Sequence, residues 1–246
     1  MTTPASQQHH EAPTHATSAS PATAGNVLLS QLSPGDAEML APHLEEVMLA
    51  RDDVIGATGR EFTHAYFPDT AVLSVVKHML DGFAVGIGTV GNEGFVGIPM
   101  ALGVRLNLDL TTCLIPGRAR FVPMGALDGA LARSDSLRQL LHRYTWAYLG
   151  QVGQTVACNA RHHIDQRCAR WLLMMQDGVG GVDAFPLMHK SLARTISVRR
   201  SGVTRATIAL QDEGLIRYRR GIMKIVDRGR LEARACECYH RRAASL

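Results

Sequence analysis

The sequence has 246 residues and a mass of 26.7 kDa, enough for one large or two modest domains with a hydrophobic core. Apolar residues make up 46% of the chain and charged residues 20%, and no apolar run approaches the roughly 20 residues of a membrane helix. The amino terminus lacks an apolar signal-peptide stretch, and five cysteines are too few and scattered for a disulfide scaffold. We therefore expect a cytoplasmic protein without membrane contact.

The formal net charge of +4 is unevenly distributed along the chain. Residues 187–246 contain 14 basic and 5 acidic residues, whereas the rest of the chain contains 12 basic and 17 acidic ones. A basic carboxyl-terminal segment joined to a mildly acidic body is typical of a protein that binds a polyanion. A solvated charged surface is the alternative, and the local pattern must decide between them.

The first 25 residues are mostly Ala, Thr, Ser, Pro, His and Gln. They offer too little apolar surface to offset the entropy of ordering, so residues 1–25 are predicted to form a disordered tail. A helix is predicted to begin after Ser33, which can act as its cap, with Pro34 in the first turn and Asp36 reaching back to the cap. We expect this helix to end near Val47.

Between Leu49 and Pro123, glycines separate short apolar or alternating runs. This pattern predicts a small antiparallel roll or barrel, which we place at residues 26–133. Asp81-Gly82 lies between two of these runs and is a strong hairpin signal. The predicted strands are Ala65–Phe67, Val72–Val76, Phe83–Ile87, Phe95–Ile98, Thr111–Ile115 and Arg120–Val122.

A long helix is predicted at residues 134–162, where side chains recur at alternating steps of four and three. This is the heptad spacing of a helix that packs against a partner helix. A second apolar face, with Leu140, Val152 and Val156, is expected to lie against the roll. One helix buried in a single globule is the alternative, but two apolar faces favour a dimer. The predicted dimer seam consists of Leu137, Leu141, Tyr144, Tyr148, Gln151 and Thr155.

The last predicted domain, residues 163–246, contains the basic segment. A helix over about Ile164–Gln176 is followed, at residues 187–226, by a helix, a tight turn, a second helix and a hairpin around Arg220-Gly221. This order is typical of a winged helix-turn-helix. The major groove of DNA admits one α-helix, and arginine can donate two hydrogen bonds to guanine there, whereas cations on the wing would contact phosphates. Candidate base-reading residues are Arg199, Arg200, Ser201, Thr204 and Arg205, and candidate backbone contacts are Lys190, Arg217, Arg219, Arg220 and Lys224.

The stretch LARTISVRRSGVTR at residues 192–205, continued by QDEGLI at 211–216, resembles the helix-turn-helix of the Crp/Fnr family of bacterial transcription regulators. The resemblance extends from about Leu28 to Tyr239. It implies an α+β fold with an amino-terminal antiparallel β-roll (a double-stranded β-helix), a long dimerisation helix and a carboxyl-terminal winged helix-turn-helix. It further implies a homodimer that binds double-stranded DNA at a palindromic operator and contacts RNA polymerase.

Individual positions of the helix-turn-helix agree with or depart from the family pattern. By position, Arg200 and Arg205 match arginines that read bases or clamp the backbone. Ser201 replaces an acidic residue that many members have, which makes the family's best-known half-site doubtful here. Ser197 replaces a glycine at the turn, so a non-glycine residue is expected to adopt a left-handed conformation at some cost.

The resemblance also implies a cyclic-nucleotide pocket, and this sequence departs from its motif. Ile98 occupies the place of the glutamate that accepts from the ribose, and Leu110 that of the phosphate-binding arginine. An apolar side chain cannot replace a bidentate phosphate clamp, so control by cyclic AMP is not expected. A cyclic dinucleotide, another small molecule or control by expression level stays open. The candidate effector pocket consists of Gly97, Ile98, Thr111, Thr112 and Val152.

No metal or required cofactor is expected. Iron–sulfur sensing of the Fnr kind needs clustered amino-terminal cysteines, and the first cysteine is Cys113. A haem on His64, His78 or Cys113 is the weaker alternative, because lone strand histidines are usually structural.

The remaining cysteine and histidine pairs are not expected to bind metal either. Cys236 and Cys238 are predicted to lie on a helix, where residues two apart point to different sides, and His162-His163 are expected to form a junction. No nucleophile with a base and no paired carboxylates stand out, so an enzyme is not expected. The sequence thus predicts a homodimeric, sequence-specific DNA-binding regulator. The alternative is a ligand sensor or scaffold that acts through protein partners and binds DNA weakly.

Overall fold

The computed structural model describes residues 25–240, so the predicted tail lies, except for Gly25, outside the described residues. The described chain is α+β, as predicted: two antiparallel sheets come first, then a long helix, then a helix-turn-helix with its own small sheet. None of the described helices has the length and apolar character needed to span a bilayer.

The amino-terminal helices end earlier than predicted. After α1 (Val27–Ser30), helix α2 (Pro34–Leu40) is capped by Ser33 as expected, with the Asp36 N–H donating to Ser33 Oγ at 3.2 Å. The expected continuation to Val47 is wrong, because a 3₁₀ turn and then strand β1 (Glu45–Leu49) follow. In β1 the side chains of Val47 and Leu49 are both buried. This two-residue alternation is that of a strand with one face on the core.

The β-roll consists of two antiparallel sheets, with strand orders β1-β7-β3 and β2-β6-β4-β5. The hairpin predicted at Asp81-Gly82 joins β4 to β5, and Gly82 has a φ of +81°. The predicted strand Phe95–Ile98 is wrong: Val96 forms only an isolated bridge to Tyr66, and Ile98 begins the short helix α3 (Ile98–Ala101). Pro99 explains this, since proline lacks a donor for a sheet ladder and suits a first helical turn. The other strands are β2 (Val54–Gly56), β3 (His64–Pro68), β4 (Val72–His78), β5 (Ala84–Val90), β6 (Leu110–Ile115) and β7 (Gly117–Pro123).

Helices α4 (Met124–Arg133) and α5 (Asp135–Arg161) follow the roll. Ser134 caps α5 by accepting from the Leu137 N–H at 3.1 Å. The inner face of α5 lies on the roll, where the ring of Tyr144 packs at 5.2 Å from that of Phe95.

The carboxyl-terminal domain contains a winged helix-turn-helix. Its elements are α6 (Ile164–Gly178), β8 (Ala184–Pro186), α7 (His189–Thr195), α8 (Arg200–Asp212), β9 (Ile216–Arg219), β10 (Ile222–Ile225) and α9 (Arg228–Arg234). Sequence analysis missed β8, a three-residue strand that pairs with β10. Trp171, Leu172 and Leu210 belong to the buried core of this domain.

Helix α7 docks directly on strand β5 of the roll. Gly86 makes this approach possible, because a Cβ added there would lie 2.3 Å from the Thr195 carbonyl oxygen. Beside this contact, Arg194 Nη2 donates to Thr112 Oγ1 at 3.3 Å and lies 3.6 Å from a carboxylate oxygen of Asp52. The helix-turn-helix is therefore held against the roll.

A buried carboxylate joins α2 to the start of α5. Asp36 is 4% exposed and accepts hydrogen bonds from the hydroxyls of Ser134 at 2.5 Å, Ser136 at 2.6 Å and Ser33 at 2.7 Å. The hydrogen bond from Ser134, followed by that from Ser136, lowers the pKa of Asp36 below its ordinary value of 3.8, although burial opposes the shift. The charged form is therefore favoured in the folded chain.

Replacing Asp36 should produce a pH-dependent loss of stability. A group with a lowered folded pKa stabilises the fold above its unfolded pKa, and this contribution is lost as the pH falls through the folded pKa. We expect Asp36→Asn to lower the free energy of unfolding by about 1–3 kcal/mol at pH 7, with the difference from wild type shrinking below pH 3.8. Urea unfolding from pH 3 to pH 7 measures this. Asp128→Asn, which removes an exposed ion pair with Arg105, is the control, and a difference independent of pH would contradict the assignment.

Candidate nucleic-acid interface

The turn between α7 and α8 fixes the position of the second helix. Ser197 has a φ of +55°, which confirms the left-handed conformation expected from its replacement of glycine. Its hydroxyl is buried without a hydrogen-bond partner among the described residues. The Val198 N–H donates to the Ala193 carbonyl at 3.0 Å and closes the end of α7.

Helix α8 has one buried and one exposed face. Val203, Ala206 and Leu210 are fully buried and pack in the domain core. Of the predicted base-reading residues, Arg199, Arg200, Ser201 and Arg205 are exposed. Thr204 is only half-buried, and its hydroxyl donates to the Arg200 carbonyl at 3.1 Å, which leaves it less available than the others.

The wing presents a second group of cations beside α8. Its turn, Arg220-Gly221, has φ values of +51° and +79°, the paired positive values of a type I′ hairpin turn. The predicted backbone contacts Lys190, Arg217, Arg219, Arg220 and Lys224 are all exposed. Across residues 25–240, neither these side chains nor the arginines of the α8 surface form an ion pair within 4.0 Å. Their charge is therefore available to a polyanion.

Sequence analysis missed the contact that holds the wing to the helices. The ring of His189, at the start of α7, stacks on that of Tyr218 in β9 with centroids 4.1 Å apart, and Nε2 lies 3.3 Å from Thr207 Oγ1 on α8. Burial, with a smaller effect from the charge of Arg200, lowers the pKa of His189. Nothing in the sequence pattern connects a histidine and a tyrosine 29 positions apart.

The outer face of α5 differs from the seam that spacing predicted. Leu137, Leu141, Tyr144 and Thr155 are at most 4% exposed, Gln151 accepts from the Thr89 N–H of the roll, and Tyr148 is half-buried. These residues are covered by other residues of the same chain and cannot contact a partner helix, so the predicted seam is wrong. The second face is also corrected, because Val156 is exposed although Leu140 is buried. The predicted seam repeats every seven residues, but this spacing alone cannot tell whether those residues meet a partner helix or the roll.

The exposed stripe of α5 consists of Trp146, Leu149, Gly153 and Val156. Trp146, Leu149 and Val156 are 77%, 55% and 65% exposed. The steps of three, four and three put all four residues on one side of the helix. A Cβ added at Gly153 would meet no atom of residues 25–240 within 4 Å.

A cavity of about 390 Å³ lies between the roll, α3 and α5. Its wall is mainly apolar, and among the described lining residues there is no lysine, arginine or histidine. The one charged residue in the described part of the wall is Asp109, an anion that pairs with Lys77 at 2.7 Å. Leu110 takes the place of the phosphate-binding arginine of the cyclic-nucleotide motif, and the nearest arginine in sequence is Arg105. Arg105 pairs with Asp128 and does not line the cavity.

The predicted effector pocket agrees with this cavity only in part. Gly97, Ile98 and Thr111 line it, whereas Thr112 and Val152 do not. Successive residues of a strand point to opposite faces, so Thr112 faces Arg194 when Thr111 faces the cavity. On α5 the lining residues are Tyr148 and Leu149, one turn before Val152.

Comparisons with known proteins agree with this geometry. Residues 166–234 match the family model of the Crp-like helix-turn-helix domain. FixK2 from Bradyrhizobium japonicum aligns with a TM-score of 0.67 at 16% identity, over 78% of this chain and 98% of that chain. A CRP-family transcriptional regulator from Thermus thermophilus aligns with a TM-score of 0.63 at 19% identity, over 77% and 96%. The c-di-GMP responsive global regulator CLP from Xanthomonas campestris aligns with a TM-score of 0.59 at 15% identity, over 78% and 99%. No curated protein matches the chain in sequence.

The carboxyl-terminal domain is a Crp-like helix-turn-helix domain. The larger part of the chain, β-roll and long helix included, has the fold of Crp/Fnr transcriptional regulators.

Glycine at position 197 should stabilise the turn. A left-handed backbone costs a non-glycine residue about 1–2 kcal/mol, so we expect Ser197→Gly to raise the free energy of unfolding by about 1 kcal/mol. Thermal and urea unfolding measure the change. Ser201→Gly, which makes the same change inside α8, should instead lower stability by about 0.5–1 kcal/mol. Equal effects of the two substitutions would show that the turn at Ser197 is not strained.

Proposed function

We propose that this chain is a homodimeric, sequence-specific DNA-binding transcriptional regulator. The observation that carries the proposal is the set of exposed cations on α8 and the wing that have no acidic partner within the described chain. Two copies of α8, one from each protomer, enter successive major grooves of a palindromic operator. Contact with RNA polymerase belongs to the same proposal and rests on the resemblance alone.

The two groups of cations have different roles in this proposal. Arg200 and Arg205 on α8 read base edges, because a guanidinium can donate to guanine O6 and N7 together. Arg219, Arg220 and Lys224 on the wing contact phosphates, which position the domain and supply salt-dependent affinity without sequence information.

The dimer forms through the exposed stripe of α5. A helix of 27 residues is about 40 Å long, and an isolated apolar stripe of that kind is expected to be covered. The occupant is a second copy of α5, because its heptad spacing is that of a helix pair and Gly153 permits close backbone approach. A two-fold axis along the stripe also supplies the symmetry that a palindromic operator needs.

The cavity of the roll fits a small uncharged molecule better than a nucleotide. Phosphate recognition relies on arginine or lysine, and the only charged group on the described wall is the carboxylate of Asp109. This argues against cyclic AMP and also against a cyclic dinucleotide, which sequence analysis had left open. An apolar wall with a few polar groups is typical of sites for small organic ligands.

Alanine substitutions should separate base reading from phosphate contact. On a duplex selected from a random-sequence library, Arg200→Ala should weaken binding by about 1–3 kcal/mol and relax specificity at one position. Lys224→Ala should weaken specific and non-specific binding alike and reduce the slope of log affinity against log salt by about one. Fluorescence anisotropy over a salt series measures both effects. The same titrations are repeated with cyclic AMP, which we expect to change neither the affinity nor the salt dependence.

The matched control is Arg60→Ala, which removes an exposed arginine of the roll and should leave DNA binding unchanged. If Arg200→Ala weakens selected and unrelated duplexes equally, Arg200 is not a base reader. Weak binding with little dependence on salt would instead support the ligand sensor or scaffold that acts through protein partners.

Charges placed on the exposed stripe should produce monomers. We expect the double substitution Trp146→Glu and Val156→Glu to convert a sedimenting dimer into a monomer, because like charges would face each other across the two-fold axis and their burial is costly. Affinity for the palindromic duplex should fall with it. Val182→Glu changes a valine of similar exposure outside α5 and should remain dimeric. A monomeric wild-type chain, or a dimeric double variant, would contradict the proposal.

A further inference from the structure

Four potential metal ligands converge where the end of α5 meets the chain after α9. The sulfurs of Cys158, Cys236 and Cys238 and a ring nitrogen of His162 all lie within 4.8 Å of one another. Cys158 Sγ is 3.5 Å from Cys236 Sγ, and Cys238 Sγ is 3.6 Å from His162 Nδ1. The three cysteines are at most 2% exposed.

The local backbone explains why the four side chains meet. Cys158 lies in the last turn of α5, and His162 is the first residue after it. The His162 N–H still donates to the Cys158 carbonyl at 3.0 Å, which keeps the two residues on the same side of the helix end. The helix expected to hold Cys236 and Cys238 is wrong, because α9 ends at Arg234 and both cysteines lie in the irregular turn that follows. Side chains two residues apart point to different sides of a helix, but outside a helix the side chains of Cys236 and Cys238 can point to the same place.

The separations suit one tetrahedral ion. Zinc binds thiolate sulfur at about 2.3 Å and imidazole nitrogen at about 2.0–2.1 Å, so its ligand atoms are about 3.5–3.8 Å apart in a tetrahedron. Two of the six separations, 3.5 Å between Cys158 Sγ and Cys236 Sγ and 3.6 Å between Cys238 Sγ and His162 Nδ1, lie in that range, and all six are within 4.8 Å. A disulfide requires about 2.05 Å between its sulfurs, so Cys158 and Cys236, 3.5 Å apart, do not form one. An iron–sulfur cluster distributes its thiolates over several irons, whereas these four ligand atoms surround a single point.

Neighbouring groups hold the ligands as they would around a metal. Gln154 Nε2 donates to Cys238 Sγ at 2.9 Å. The other ring nitrogen of His162, Nε2, lies 3.1 Å from a carboxylate oxygen of Glu237. Metal-binding histidines usually donate their second N–H to such a carboxylate, which orients the ring and fixes its tautomer.

A buried arginine supplies an independent observation. Arg170 is 1% exposed, and its Nε and Nη1 have no hydrogen-bond partner among the described residues. It donates to Thr155 Oγ1, one turn before Cys158, and interacts electrostatically with Cys158. A buried cation needs a compensating anion. One Zn²⁺ with three thiolates and a neutral imidazole has a net charge of −1, which would place a compensating anion beside Arg170 and the second buried arginine, Arg167.

We infer that Cys158, His162, Cys236 and Cys238 bind one Zn²⁺ ion in a closed Cys₃His site. Four protein ligands leave no open position for substrate, which makes the site structural. It ties the end of α5 to the carboxyl end of the winged helix-turn-helix. Arg167, which interacts electrostatically with Cys158 and Cys236, donates to the Ile196 carbonyl at the α7–α8 turn. The ion therefore holds the DNA-binding domain at a fixed angle to the long helix.

Metal analysis of the full-length chain tests this inference. The chain purified under reducing conditions and supplied with Zn²⁺ should retain about one ion, as four protein ligands require. Cys236→Ser and Cys238→Ser should each lower the retained zinc at least about tenfold, since each removes a ligand. Cys113→Ser and Cys168→Ser remove buried thiols outside the cluster and should retain the ion. Equal zinc in the chain with and without Cys236 and Cys238 would overturn the inference.

A second pair of variants keeps the test valid if a cysteine variant does not fold. Glu237→Gln and Gln154→Ala leave all four ligands in place and should lower Zn²⁺ affinity by about 10–100-fold, measured by competition with a chromogenic chelator. Co²⁺ added to the metal-free chain should give sulfur-to-cobalt charge-transfer and tetrahedral d–d bands. These bands should weaken in Cys238→Ser, which keeps two thiolates but loses the fourth strong ligand, and recover, with a shift, in Cys238→His. If the purified chain instead contained iron with inorganic sulfide, or a Cys158–Cys236 disulfide and no metal, the inference would be overturned.

Discussion

The packing of two tyrosines of α5 on glycines of the roll determines the arrangement of the whole molecule. A Cβ added at Gly94 would lie 2.2 Å from the hydroxyl oxygen of Tyr144, and one added at Gly88 would lie 2.7 Å from that of Tyr148. The helix can therefore lie on the roll in only one rotation about its axis. That rotation turns Trp146, Leu149 and Val156 outward and brings the end of the helix to the carboxyl-terminal turn. The exposed apolar stripe of α5 and the position of the Cys₃His cluster both follow from it.

Local signals in the sequence predicted much of the fold. The Ser33 cap and the Asp81-Gly82 hairpin depend on one to four adjacent residues, and both are confirmed. The left-handed Ser197 is also confirmed, but it was expected from the resemblance, because the family has glycine at that position of the turn. The winged helix-turn-helix was equally accessible, because its apolar spacing, turn and basic surface lie within 40 consecutive residues. Such features are decided by backbone sterics and periodicity, which a single sequence contains.

Features that depend on distant contacts could not be predicted in this way. Periodicity detected the buried face of α5 but not that it meets the roll instead of a partner helix, because the glycines that receive Tyr144 and Tyr148 lie far away in sequence. Of the exposed stripe it detected only Val156 and placed that residue against the roll. The cysteine cluster joins residues more than 70 positions apart and depends on where α9 ends. The stacking of His189 on Tyr218 likewise cannot be predicted from the residues next to either of them in the sequence.

The contact at Gly86 has a consequence for how this chain can vary. Strand β5 belongs to the β-roll, yet the lack of a side chain at this position is required by Thr195 of the helix-turn-helix rather than by the strand itself. A bulkier residue there would push the helix-turn-helix away from the roll. In the proposed dimer this would change the spacing between the two copies of α8, and so the preferred distance between operator half-sites, without altering any of the proposed DNA contacts.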